Sequence, residues 1–293
     1  MMAVVVFVGV TTGSSLVHRT MPIWQSVLGL SCSLRGADID LGSDDDSYLR
    51  LLADLTSDDS VAGAVVTAHK VRMFQACRGC FTHLDPLAVA CEEINAIRQT
   101  DGSLYGWARD PVSVGRVVDR IWPDAEGQVV CLGAGGTALA LAHHLSTTRA
   151  AVRFACADPN PAAVERLVRQ ARCPVAGHVG DKPWDDLVGS APPGSLIVNA
   201  TGMGKDRPGS PITSGARFPP RAVVWELNYR GELEFLAHAR LQARSSQLRV
   251  HDGWQLFCHG WAAALTPVLD LPDEEDLGDR FAAAAQSLRP NTE

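Results

Sequence analysis

Residues 129–140 read Val-Val-Cys-Leu-Gly-Ala-Gly-Gly-Thr-Ala-Leu-Ala, an apolar strand, a glycine turn and an amphipathic helix in unbroken succession. Few local patterns restrict a fold as much. Gly133 permits a tight turn, and Gly135 and Gly136 let backbone come close to a ligand. The helix that starts there presents N–H groups and a positive end, which is what a pyrophosphate needs. A second apolar strand, Val152-Arg-Phe-Ala-Cys-Ala157, follows and closes on Asp158. An acid at that distance from the first glycine binds the adenosine ribose of a dinucleotide. The same residues could close a strand–helix turn that holds no ligand, and the acid after the second strand weighs against that. Gly133, Ala134, Gly135, Gly136, Thr137 and Asp158 are therefore the candidate cofactor contacts. A carboxylate at 158 accepts from a ribose 2′-hydroxyl and repels a 2′-phosphate, and Pro159-Asn160-Pro161 supplies no arginine clamp. Arg166 and Arg169 lie farther along. The expected cofactor is NAD, in preference to NADP.

Around this turn, strands and helices alternate. Apolar strands are expected over 3–9, 37–41, 61–67 and 94–98, with helical patterns near 15–31, 46–56, 70–80 and 85–93. The second half continues with strands at 128–132, 152–157, 195–199 and 222–227 and helices near 136–147, 160–172 and 231–245. Asp110-Pro111 opens a further helix over 110–122, the aspartate as its cap and the proline in its first turn. Such alternation implies an α/β fold with parallel sheet covered by helices. Residues 289–293 read as a frayed tail.

Composition excludes several alternatives. The formal charge of −7 offers no basic face to a nucleic acid. No apolar run reaches the roughly 18–20 residues of a membrane span, so no membrane partner is expected. The first nine residues lack a basic segment before their apolar run and read as a core strand, not a signal peptide. The eight cysteines are scattered, several within apolar segments, which fits a reduced cytoplasm. Cys77-Arg-Gly-Cys80 has metal-like spacing but no second ligand pair, so no metal is expected. The partner expected is a small-molecule substrate, and the chain a monomer or homodimer.

Polar residues interrupt the apolar pattern at a few places. Gly63-Ala-Val-Val-Thr67-Ala-His69-Lys70 closes a strand, Glu93-Ile-Asn95 precedes another, and Gly106-Trp-Ala-Arg109-Asp110 ends the first half. Asn199-Ala200-Thr201-Gly202-Met203 follows a strand of the second half, with Lys205-Asp206-Arg207 as a mobile rim. Asp252-Gly-Trp-Gln255-Leu-Phe-Cys-His259 opens a late helix. A lysine beside a carboxylate can stabilise a developing alkoxide, and the carboxylate can orient it. A surface ion pair would look the same in sequence.

The order and spacing of these segments resemble the shikimate/quinate dehydrogenase family along nearly the whole chain. The matches are Thr67 and Lys70, Asn95, Asp110, Gly133-Ala-Gly-Gly136, Asn199-Ala-Thr201 and Tyr229. The resemblance implies two domains. Residues 1–110, completed by 252–293, form an α/β substrate domain, and 111–251 a doubly wound, Rossmann-type nucleotide domain. It implies Lys70 and Asp110 as the catalytic pair, Asn95 as a substrate-hydroxyl ligand, and 199–203 near the nicotinamide. Ser15, Thr67, His69, Arg109, Tyr229 and His259 complete the implied substrate contacts.

The departures matter as much. Of the two family serines that hold a ring carboxylate, one maps to Ser15 and the other to Val17. The strand motif reads Val65-Val-Thr-Ala-His69-Lys70, without the family's asparagine and proline. The Asn-Thr before the aspartate is Ala108-Arg109, and the late-helix glutamine aligns with His259, with Gln255 one turn earlier. A pocket so altered implies a different polyhydroxylated or carbonyl substrate. The readings left beside it are a methylene-tetrahydrofolate dehydrogenase-like enzyme, for which Trp24 and Trp107 would be stacking partners, and a non-catalytic, ligand-sensing member.

Overall fold

The computed structural model describes residues 2–181, 183–205 and 207–291, so Asp206 of the expected rim and the last two residues of the expected tail lie outside the described residues. Two compact units result: Met1–Asp110 with Cys258–Leu288, and Pro111–Phe257 with Arg289–Glu293.

In the first unit the chain forms β1 (Ala3–Gly9), α1 (Val17–Leu28), β2 (Cys32–Asp38), α2 (Asp45–Ser57), β3 (Val61–Val66) and α3 (Lys70–Cys77). It continues through β4 (His83–Leu84), α4 (Pro86–Cys91), β5 (Ala96–Thr100) and β6 (Ser103–Trp107) to Asp110, the first residue of α5 (Asp110–Ile121). The sheet runs β2-β1-β3-β5-β6-β4. β1 pairs in parallel with β2 and β3, whereas β5 runs antiparallel to both of its neighbours, so the sheet is mixed. The antiparallel pair follows from Asp101-Gly102, both at positive φ, which close a hairpin turn between β5 and β6. Those two residues are the signal by which β6 could have been anticipated.

The strand expected at 37–41 lies earlier, at Cys32–Asp38, in register with Ala3–Gly9. Its end is set by Asp38, whose carboxylate accepts from the Thr12 backbone N–H at 2.8 Å and from its hydroxyl at 2.6 Å. The alternation Ala37–Leu41 imitates a strand, but Leu41 is exposed. Downstream, Asp44 accepts from the Ser47 N–H at 3.1 Å and starts α2. α1 stops at Leu28 because Gly29 turns left-handed, shortening the helix expected to residue 31.

The second unit contains β7 (Gln128–Leu132), α6 (Gly136–Thr148), β8 (Arg153–Asp158), α7 (Pro161–Gln170), β9 (Val175–Val179) and α8 (Asp185–Gly189). It then adds β10 (Leu196–Asn199), β11 (Val223–Glu226), α9 (Glu234–Gln242) and β12 (Arg249–His251). The strands are all parallel, in the order β12-β11-β10-β7-β8-β9. The order reverses between β7 and β10, and in a doubly wound sheet the crevice beyond the carboxyl ends at that point is where ligands bind. The chain leaves through α10 (Trp254–Val268) and ends with α11 (Leu277–Ala284) in the first unit.

α11 is fastened to α1 by an aromatic contact. Trp24 and Phe281 are fully buried and stacked, with centroids 4.7 Å apart, and the indole N–H donates to the Phe281 carbonyl at 3.1 Å. Among the described residues no group of three metal-binding side chains is found, and no helix is long and apolar enough to cross a membrane. Cys77 and Cys80 are both free thiols, Cys77 buried and Cys80 exposed. Burial pushes the Cys77 thiol up to about 12, so it is inert as a nucleophile or ligand.

Removing the Phe281 ring leaves a cavity against Trp24. Phe281→Ala should destabilise the protein by about 3–5 kcal/mol, read as a lowered midpoint in chemical denaturation.

Candidate functional site

In the first unit the polar residues converge on Asp110. Its Oδ2 accepts from the Lys70 ammonium, and its Oδ1 accepts from Asn95 Nδ2 at 2.5 Å. Asn95 is oriented in turn, because its Oδ1 accepts from the Arg109 N–H at 2.7 Å and its own N–H donates to Trp107 at 2.9 Å. Lys70 opens α3, and its carbonyl accepts from the Ile94 N–H at 3.0 Å. Three turns that are distant in sequence therefore meet at one carboxylate. Burial pushes the Lys70 pKa down, but the carboxylates of Asp110 and Glu93 outweigh it and hold the ammonium above the ordinary lysine value. Glu93 is buried, and sequence reasoning missed it. Two adjacent acids between apolar residues, Cys91-Glu-Glu-Ile94, were the available signal.

Of the other expected substrate contacts, Thr67 lies in the turn before Lys70, and its hydroxyl donates to the Val8 carbonyl at 3.1 Å. Ser15 is half-buried, its hydroxyl oxygen 3.4 Å from the Val17 N–H that donates to it. Val17 itself is wholly buried and offers nothing polar. Three residues are placed otherwise than expected. His69 points into the core, where Nδ1 shares a hydrogen with the Tyr48 hydroxyl at 2.9 Å, because its ring packs edge-on against that buried tyrosine. His259 is buried under α11, its Nε2 3.3 Å from Asp279. Only glycine fits at 278, since a Cβ there would stand 2.3 Å from the imidazole. Arg109 turns to the C-terminal segment, donating to Asp273 at 2.6 Å and to the Ala263 carbonyl at 3.2 Å.

The second unit holds the glycine turn. Gly133 has φ +105°, its N–H donates to Ala157 at 2.7 Å, and a Cβ there would meet the Ala200 carbonyl at 2.6 Å. The turn after β7 and the loop after β10 thus approach backbone to backbone, which no side chain at 133 would allow. α6 begins at Gly135 with no side-chain cap, and a Cβ at Gly135 would touch nothing. Gly136 and Thr137 form the first turn of α6. This is a cradle that suits a pyrophosphate. Asp158 ends β8, accepting from the Ala134 N–H at 2.9 Å and the Asn160 N–H at 2.8 Å, so it shapes the turn.

Beyond β10, Asn199 is buried and its Oδ1 accepts from the Thr201 N–H at 3.1 Å and hydroxyl at 2.6 Å. Gly202 takes φ +72°, and the Met203 N–H donates to the Thr201 hydroxyl at 3.1 Å. Tyr229 packs on Phe257, centroids 4.5 Å apart, and on Trp254. Glu226, at the end of β11, donates nothing and accepts from both Asn199 and Asn228. It too was missed, although an acid ending Val223-Val-Trp demands buried partners.

No protein-family profile matches the chain. It is 30% identical over 212 residues to the shikimate dehydrogenase (NADP(+)) of Methylocella silvestris, covering 70% of this chain and 69% of that protein. Among solved structures it resembles the quinate dehydrogenase of Corynebacterium glutamicum in complex with NAD, with a TM-score of 0.76, 22% identity and coverage of 98% and 99% of the two chains. The shikimate 5-dehydrogenase of Thermus thermophilus in complex with shikimate gives a TM-score of 0.74 at 20% identity, covering 98% of this chain and all of that one. These structures establish the two-domain α/β fold.

An amine reacts with acylating or alkylating reagents only as the neutral base. Lys70, held protonated, should therefore be modified more slowly than surface amines at mildly alkaline pH. Asp110→Asn removes one of the anions that raise its pKa, so modification at Lys70, followed by peptide mass spectrometry, should accelerate.

Proposed function

The chain belongs to the shikimate dehydrogenase family and is a dehydrogenase, and from that premise we propose that it moves hydride between a nicotinamide dinucleotide and a hydroxyl or carbonyl carbon of a polyhydroxylated, cyclic, shikimate-like substrate. The observation that carries this reading is the cluster of Lys70, Asp110 and Asn95. An alkoxide that forms as hydride moves needs a cation beside it and a route for the hydroxyl proton. The Lys70 ammonium supplies both, donating a proton through Nζ to the alkoxide in reduction, while in oxidation the neutral amine takes the hydroxyl proton and becomes the ammonium. Asp110 keeps that ammonium charged and oriented and accepts from a neighbouring substrate hydroxyl. Asn95, Thr67, Ser15 and Tyr229 are the remaining proposed substrate contacts.

The dinucleotide, when bound, supplies or takes the hydride. Gly133 to Thr137 would hold its pyrophosphate, Asp158 its adenosine ribose, and Asn199 to Met203 its nicotinamide end. We favour NAD, because Asp158 presents a carboxylate where a 2′-phosphate would have to sit and the next residues are Pro-Asn-Pro. The names of the relatives support NADP instead.

For the substrate, the fully buried Val17 is the informative side chain. With one serine in place of two, and with Arg109 engaged by Asp273, a ring carboxylate has weak support. The folate-type alternative loses one of its two stacking partners, since Trp24 is stacked on Phe281 in the core. The ligand-sensing alternative has no use for a lysine held charged by two carboxylates.

Lys70→Ala should lower kcat by a factor of about 10²–10⁴ while the dissociation constant for NAD stays unchanged. Asp110→Asn should also impair turnover, and the double variant should lose much less than the product of the two factors, because the pair acts as one unit. An unchanged kcat with a raised KM in Lys70→Ala would reduce the lysine to a binding contact.

Steady-state comparison of the unmodified enzyme gives the specificity. kcat/KM should be higher with NAD than with NADP, and shikimate and quinate should be turned over poorly. Turnover of shikimate at roughly 10⁴ M⁻¹s⁻¹ or above, or a clear NADP preference, would reverse the corresponding assignment.

A further inference from the structure

β11 is an apolar strand, Val223-Val-Trp, that ends on a carboxylate with no exposed surface, Glu226. Its register partner on β10 is Asn199, the first residue of the loop assigned to the nicotinamide. Glu226 Oε2 accepts from Asn199 Nδ2 at 2.5 Å. Oε1 accepts from the Asn228 backbone N–H at 2.8 Å and from Asn228 Nδ2 at 2.7 Å. Each of these two amides goes on to hold the loop. Asn199 fixes Thr201 through its Oδ1, and Thr201 fixes the Met203 N–H. Asn228 Nδ2 also donates to the Met203 carbonyl at 3.0 Å. Both ends of the segment 199–203 are therefore tied to the same buried carboxylate.

We infer that Glu226 is a positioning residue that sets the 199–203 loop for the nicotinamide half of the dinucleotide, without touching it. The inference rests on the proposed reading of that loop as a nicotinamide contact. A carboxylate is needed because it accepts on both oxygens. A glutamine accepts on one and would turn its NH₂ toward the donors of Asn199 or Asn228. Protonation has a similar effect, placing an O–H where an acceptor stood.

The group is poised for that. Burial pushes Glu226 up to about 7, even though three N–H donors favour the charged form. The ionisable side chain facing it is Asp252, in the segment after β12, which raises it further and is itself paired with Arg289 at 2.5 Å. On the loop side, Arg207 donates to the Thr201 carbonyl. As pH falls through about 7 the neutral acid replaces the carboxylate, and the loop loses its common anchor.

The test compares NAD with ADP-ribose, the same ligand without nicotinamide, by titration calorimetry on the full-length protein at pH values on either side of 7. In the unmodified protein the preference for NAD over ADP-ribose should grow as pH rises through about 7. In Glu226→Gln, NAD should bind roughly tenfold more weakly, the size expected for one lost hydrogen bond to a buried charge. ADP-ribose should bind as before, and the ratio should no longer depend on pH. Equal losses for both ligands, or none for NAD, would overturn the inference by making Glu226 a packing residue or an irrelevant one. If Glu226→Gln does not fold, the pH dependence of the unmodified protein decides, and a constant preference for NAD overturns the inference alone. Equal affinity for NAD and ADP-ribose at every pH would instead remove the nicotinamide assignment of the loop.

Discussion

Both oxygens of the Asp110 carboxylate are engaged, one by the Lys70 ammonium and the other by the Asn95 amide. A charge partly withdrawn from water is costly unless its partners are fixed, and much of the first unit can be understood as what fixes them. Asn95 is clamped by the Trp107 carbonyl and the Arg109 N–H, at the end of β6 and the entry to α5. Lys70 is brought in by the first turn of α3, whose carbonyl is bonded to the segment before Asn95. The antiparallel β5–β6 hairpin places Asn95 beside Ala108–Asp110, so a departure from parallel order in this sheet is also what assembles the cluster.

The legible parts of the sequence were those in which local chemistry and final structure coincide. Strand, glycine turn and helix at 129–140 are adjacent in the chain, and the positive φ of Gly133 and its contact with Ala200 explain the glycine there. Lys70 and Asp110 were singled out by the family resemblance, and the ion pair between them is what the fold supplies. The side-chain directions were not legible. His69 sits one residue from Lys70 and His259 at the position aligned with the late-helix glutamine, and no periodicity announces that Tyr48 and Asp279 capture them. Arg109 is drawn away by Asp273, a contact across 164 residues of sequence. β2 was displaced because the Ala37–Leu41 alternation competes with a pairing that only the neighbouring strand β1 can decide.

Glu93 and Glu226 show a further limit. Each is an acid within an apolar run, and burial of such a group is intelligible only with its partners in view. For Glu93 the partner is a lysine of α3, and for Glu226 it is an asparagine on the next strand. In sequence the first is separated from its partner by 23 residues and the second by 27. An acid that breaks an apolar strand is therefore a signal that partners exist, although it does not say which.

The two units solve the same problem with the same pair of groups. In each, an asparagine amide donates to a carboxylate while its carbonyl oxygen accepts a backbone N–H, from Arg109 for Asn95 and from Thr201 for Asn199. The pair converts a backbone turn into a fixed point. What differs is the third member. Asp110 has the Lys70 ammonium beside it as a counter-ion. Glu226 has only N–H dipoles and the repelling Asp252, so its ionisation falls near neutrality. Dipoles that converge on an oxygen favour the anion less than a full positive charge in contact does. The same amide–carboxylate unit thus carries an ion pair where a cation is supplied and becomes a titrating anchor where none is.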